Sequence, residues 1–463
     1  MDLALFGVMN LDEKYQEMTR TPVRRLVLRL AVPTMLSMMV TSFYNVVDAA
    51  FVGHLSTEAT AGIGISFSYM LAVNAFGFFF GHGSGNYISR ELGARRRATA
   101  SMMASVGFFT PLFLSLCIVL AFFFNLPALA RMLGATPEVV PYATDYLRFI
   151  VLATPFMMTS LTLNNQLRLQ GNARLGTIGL VSGAVLNIGF DALFIVGLKM
   201  GVAGASLATA ISQFICWMLL LWGTTRPESV HISLRNFRPS GWAYYEILMG
   251  GLPSLCRQFF NCTGAICLNY AAAHYAAPGG VASTVAAFTV VSRTMTFAYS
   301  FMLGINQGFQ PVAGFNYGAR LYDRVRKAYL FAMSFSSLLL LTVAGVIFLL
   351  APQIISAYRD EDPMMLELGI RVLRYQCLTF GLVAIPVTTN MLFQVIRMPI
   401  RSTLLSIGRQ GLFFIPALFI LPHFMGLQGV MVTQPVADVA TFLFSLPFIH
   451  WIVGRLKAQA AEG

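Results

Sequence analysis

The tripeptide Gly93-Ala94-Arg95 returns 225 positions later as Gly318-Ala319-Arg320. Working outward without a gap, the same shift pairs Gly83 with Gly308 and Ala61 with Ala286 on one side. On the other it pairs Asn165 with Asn390, Gly201 with Gly426 and Gly204 with Gly429. The chain is a duplication. Within this register Asp191-Ala192-Leu193-Phe194 meets Pro416-Ala417-Leu418-Phe419, so one half keeps a carboxylate inside an apolar segment that the other half lacks.

A composition of 57% hydrophobic and 11% charged residues over 463 positions leaves too little polar surface to cover a soluble globule. The mean hydropathy of +0.69 says the same. Apolar runs long enough to cross about 30 Å of hydrocarbon recur at roughly residues 26–51, 61–88, 99–124, 139–166, 174–197, 202–223, 244–274, 283–312, 325–350, 365–396, 402–422 and 428–452. The fold expected is an all-α polytopic membrane protein with twelve transmembrane helices in two pseudo-symmetric six-helix bundles. An even number of spans per half puts both repeats into the membrane in the same orientation, as two bundles facing each other across a cleft. The expected division is an N-terminal lobe over 1–225, a cytoplasmic linker over 226–245 and a C-terminal lobe over 246–463. A short amphipathic piece is expected around residues 232–237.

Cations fix the topology. They fall on one side of the spans, from Arg20 through Arg95-Arg96-Arg97, Arg168, Arg235, Arg320 and Lys327 to Arg455, while the other side has little beyond Arg131, Lys199 and Arg359. By the positive-inside rule both termini are cytoplasmic, in a cell (inner) membrane. The net charge of +12 is thus a topology signal, and no basic stripe interleaved with aromatics suggests nucleic acid. The first 25 residues carry no apolar core with a small-residue cleavage site, so no signal peptide is expected. All six cysteines lie in apolar spans, and neither Cys-x-x-Cys nor His-Glu-x-x-His spacing occurs.

Asp48, Asp191 and Asp438 are the acids placed well within spans, where an ionised carboxylate costs about 2.5–3.5 kcal/mol on insertion scales. Asp48 follows Tyr44 by four residues and Asp191 follows Asn187 by four, which places each pair on one helix face. A carboxylate so held can bind and release protons. Thr209, Asn164 and Tyr146 add polar atoms on neighbouring spans. Asp438 reads instead as one half of a buried ion pair, with Arg257 or Arg293 as the cation. Gly77, Gly81 and Gly85, and likewise Gly304 and Gly308, form smooth ridges suited to close helix packing. Pro33 removes a backbone hydrogen bond in the first span and permits a bend. Met35 and Met38 offer a cavity an adaptable lining.

The run Leu30-Ala31-Val32-Pro33, Tyr44-Asn45-Val46-Val47-Asp48 through Leu55, Glu91-Leu92-Gly93-Ala94-Arg95 and Asn316-Tyr317-Gly318-Ala319-Arg320 resembles the multidrug and toxic compound extrusion (MATE) transporters along essentially the whole chain. The resemblance is to the DNA-damage-inducible F-like branch, and it implies functional polar residues at Tyr44, Asp48, Tyr146, Asn164, Asn187, Asp191 and Thr209, all of them present. A sodium-coupled NorM-type pattern implies a glutamate eight residues after Pro253, where this chain has Asn261. The reading expected is a cation-coupled antiporter, with the proton as coupling ion, that exports amphiphilic and mostly cationic drugs by alternating access. Asp48, Asp191, Asn187, Tyr44 and Thr209 would carry the coupling, and Tyr146, Asn164, Met35 and Met38 the substrate cavity. Sodium held by Asp48, Asp191 and Asn187 is the rival ion.

A flippase of lipid-linked precursors in the same superfamily is the alternative, sustained by Arg257 and Arg293. A membrane enzyme or receptor is not expected, for want of a nucleophile–base or metal motif and of an extramembrane domain. A major-facilitator transporter would need a different loop after the second span. The protein is expected to work as a monomer among membrane lipids, with small amphiphilic substrates and no organic cofactor.

Overall fold

The computed structural model describes residues 10–53, 57–358 and 362–462, excepting the side chains of 44–53 and 57. Arg359 falls outside the described residues. Within them every regular element is a helix. Among the described residues eleven helical segments are long and apolar enough to cross a membrane. The twelfth expected span is also helical, over 34 residues, but Arg257, Gln258, Asn261 and Asn269 lower its hydropathy below that of the others.

Two compact units emerge, Met1–Thr21 with Leu36–Gly251, and Pro22–Met35 with Leu252–Gly463. The first holds α1 (Leu11–Arg20), the later part of α2 (Val23–Gly53), α3 (Thr57–Gly93), α4 (Arg97–Phe122), α5 (Leu126–Met132), α6 (Val140–Leu169), α7 (Ala173–Asp191) and α8 (Gly201–Thr224). The second holds most of α9 (Gly241–His274), then α10 (Val281–Gly318), α11 (Tyr322–Leu349), α12 (Ala351–Ser356), α13 (Pro363–Val395), α14 (Pro399–Ile407), α15 (Ile415–Met425) and α16 (Leu427–Glu462). In the first unit α6 packs on α3, α4 and α8; in the second α13 packs on α10, α11 and α16. These are the same neighbours under the 225-residue shift. Both are central: 72% of the apolar window of α6 and of α13 is buried, against 28–44% for the other spans.

Small residues set the approach of the helices. A Cβ at Gly81 would come within 2.9 Å of the Asn165 side chain, and one at Gly85 within 2.6 Å of Leu169, so the ridge of α3 lies against α6. A Cβ at Gly304 would stand 2.5 Å from Met35 Cα, and one at Gly308 2.5 Å from Ala31 Cα, which seats the start of α2 on α10. At Gly83 a Cβ would meet the Ile247 carbonyl oxygen at 2.3 Å, which seats the start of α9 on α3. Each of these two long helices begins in one unit and continues in the other. Pro33 and Pro253 stand within two residues of those crossings.

The repeated tripeptide has a mechanical role. Arg95 and Arg320 both adopt a left-handed backbone, at φ 60°. The next residues reach back five positions, Arg96 N–H to Glu91 O and Leu321 N–H to Asn316 O, each at 2.8 Å. This arrangement satisfies the last carbonyls of α3 and α10 and stops both helices.

Between α8 and α9 the backbone is pinned to the first unit. The Val230 N–H donates to Gln170 Oε1 at 2.7 Å, and Asn172 Nδ2 to the Glu228 carbonyl at 3.1 Å. The amphipathic piece expected there is one 3-10 turn, Leu234–Asn236. Arg168, counted above among the cytoplasmic cations, is fully buried; it donates to Asn165 Oδ1 at 2.8 Å and lies 3.2 Å from His82 Nε2. Because arginine only donates, that imidazole nitrogen accepts and the His82 proton sits on Nδ1, 3.1 Å from the Phe78 carbonyl.

Candidate functional site

Asp191 is the last residue of α7 and is completely buried; Asn187, one turn earlier on the same face, and Thr209 on α8 are each 2% exposed. With its amide nitrogen toward the carboxylate, Asn187 donates to Asp191 Oδ2 at 2.8 Å, and its oxygen accepts from the Thr209 hydroxyl at 3.3 Å. The chain of polar groups therefore runs Thr209, Asn187, Asp191, across two packed helices. Ala192–Gly197, directly after Asp191, forms a π-helical segment. Such wide turns are uncommon inside helices and recur at functional sites.

The other expected residues are distributed around this core. Tyr146 is buried on α6, and its hydroxyl donates to Met70 Sδ at 3.7 Å. Asn164 faces α7 at Gly176, where a Cβ would come within 3.2 Å of Asn164 Oδ1. Gly176 lies eleven residues before Asn187, so Asn164 sits about 16 Å along the helix from the carboxylate cluster. Met35 and Met38 are half-buried, on either side of the point where α2 changes units. Pro33 lies within α2, which continues through it, and the Thr34 hydroxyl beside it reaches the Gly304 carbonyl at 2.8 Å. The side chains of Tyr44 and Asp48 lie outside the described residues. Among the described residues no three His, Cys, Asp or Glu side chains gather as a metal site.

In the second unit Asp438, 2% exposed, has a cationic partner other than the two expected. Arg409 Nε donates to Asp438 Oδ1 at 2.8 Å, Gln434 Nε2 to the same oxygen at 2.9 Å, and Thr379 Oγ1 to Oδ2 at 3.4 Å. Arg293 is exposed. The sequence holds the signal for Arg409, an arginine in the middle of an apolar run. Which acid it meets is not readable there, because that depends on how Gly408–Phe414, a second π-helical segment among the described residues, packs on α16.

The MatE family model matches residues 33–193 and 253–420. The multidrug export protein MepA of Staphylococcus haemolyticus is 24% identical over 456 residues, covering 97% of this chain and 98% of that protein. A multidrug resistance MATE family transporter of the MOP superfamily in an outward-facing conformation superposes with a TM-score of 0.89 at 27% identity, over 96% of this chain and 98% of that one. A MATE structure in a bent conformation does so at 0.87 and 27% identity, over 97% and 99%. With the family match covering most of each repeat and the alignments running nearly end to end, the chain belongs to the MatE family of multi-pass membrane transporters.

Proposed function

We propose that the protein exports amphiphilic, mostly cationic drugs in exchange for protons, by alternating access of lobes 1–225 and 246–463. Both termini would lie in the cytoplasm and the monomer would be the working unit. The observation that carries the reading is the buried Asp191 held by Asn187 next to Thr209 within apolar spans. A carboxylate in that setting attracts an organic cation when ionised and loses the attraction when protonated. Asp48 is assigned as the second carboxylate of this site, since two acids close together in a poorly hydrated pocket cannot both stay ionised at low cost. Proton entry from outside then weakens drug binding where release is required. Sodium, ligated by Asp48, Asp191 and Asn187, is the competing ion.

The test is efflux of a fluorescent organic cation from reconstituted vesicles, with proton and sodium gradients imposed separately. Efflux driven by the proton gradient alone, and abolished in Asp191→Asn, is expected. Efflux that follows sodium alone would replace the proton with sodium, and full activity in Asp191→Asn would reduce this carboxylate to a structural role.

A further inference from the structure

The second unit holds a separate charged cluster inside its apolar core. One face of α9 carries Arg257, Phe260 and Gly264, spaced three and four apart. That face packs on the π-helical segment: a Cβ at Gly411 would meet Phe260 at 2.7 Å, and one at Gly264 the Gln410 Oε1 at 3.1 Å. The segment carries Arg409, whose guanidinium lies 5.4 Å from the centre of the Tyr299 ring. Arg257 lies one turn before Phe260 on the face of α9 that meets this segment. Among the described residues the carboxylate recorded at this cluster is Asp438, and it is engaged by Arg409. Arg257 Nη1 is enclosed and has no acceptor among the described residues.

Two cations against one anion leave a positive charge within a helix bundle, and an enclosed guanidinium N–H without an acceptor is a costly arrangement. A planar monoanion removes both defects, because a carboxylate matches the fork of an arginine with two parallel hydrogen bonds. Phe260 and Tyr299 supply aromatic surface beside the charge. We propose that Arg257, Arg409 and Tyr299 form a binding site for the carboxylate of an organic anion or zwitterion, a ligand class beyond the cationic drugs assigned to Asp191. Asp438 acts in it as the resident competitor for Arg409.

The test uses full-length protein purified in detergent, with benzoate as probe and benzyl alcohol and chloride as comparators, in titration calorimetry without any gradient. The reading therefore stands or falls independently of proton-coupled efflux. Benzoate is expected to bind and benzyl alcohol not to. Arg257→Gln should weaken benzoate at least tenfold while eluting as a monodisperse peak. Asp438→Asn should tighten it at least threefold, a gain that a misfolded variant cannot give. Absence of benzoate binding, unchanged affinity in Arg257→Gln, weaker binding in Asp438→Asn, or chloride competing at equal affinity would each overturn the assignment, the last by making this a site for inorganic anions.

Discussion

The Thr34 hydroxyl lies 2.8 Å from the carbonyl oxygen of Gly304, a residue 270 positions away in the sequence. The same glycine brings α10 so close to α2 that its missing side chain would overlap Met35 Cα and Cγ. A backbone atom cannot swing aside as a side chain can. Gly304→Ala should therefore destabilise the protein by about 1–3 kcal/mol, the usual cost of overpacking. Gly454→Ala, with nothing within 4 Å, should be neutral or stabilise by about 0.5–1 kcal/mol through helix propensity. Thermal unfolding of both variants in detergent checks the contrast, and equal melting temperatures would refute it.

The ion pair of Arg409 and Asp438 yields a second prediction. Removing one partner, as in Arg409→Leu, strands a buried carboxylate and should cost about 3–5 kcal/mol. Replacing both by leucine removes the stranded charge and should recover most of that loss. A double variant no more stable than the single one would show that packing, not charge, holds this region.

At the site in the first unit, Asn187→Ala should reduce gradient-driven efflux at least tenfold by deleting the donor to Asp191 Oδ2. Thr209→Ala should act less, since the hydroxyl meets the carboxylate only through Asn187. Asp48→Asn should abolish coupling as Asp191→Asn does. Substitution of the exposed Pro416, which occupies the repeat position of Asp191, should leave transport unchanged. Vesicle efflux assays with matched protein amounts rank the variants, and an active Asn187→Ala would break the proposed order.

The helix stops give a third test of stability. A non-glycine residue in the left-handed region costs about 1 kcal/mol or more, so Arg320→Gly should raise the melting temperature or leave it unchanged. Arg95→Gly should gain less, because Arg95 also stacks 4.2 Å over the Tyr15 ring. A clear loss in Arg320→Gly would mean that the side chain, not the turn, is what the position needs.

Outside the spans, the hydrogen bond from Arg97 holds the Asp12 carboxyl below the usual carboxylate range. A lowered value means the contribution of this pair is complete above about pH 4 and fades as pH falls through the folded-state value. The difference in melting temperature between the wild type and Asp12→Asn should therefore be constant from pH 5 to 8, by the reference values, and shrink only in stronger acid. A difference that changes near neutral pH would assign the titration to another group.

Much of this protein was determined by local order in the chain. The apolar runs set the helices, the 225-residue shift set the repeat, and the period of 3.6 put Asn187 beside Asp191 and Gly81 beside Gly85, because backbone geometry alone fixes which residues share a face. What crosses between helices was decided by the tertiary structure. Nothing in the sequence places the start of α2 on α10 or of α9 on α3, since those seats depend on where small residues let two backbones approach. Nor does it choose Arg409 over Arg257 for Asp438. Arg409 sits in the π-helical segment Gly408–Phe414, and the packing of that segment on α16 is what brings its guanidinium to Asp438.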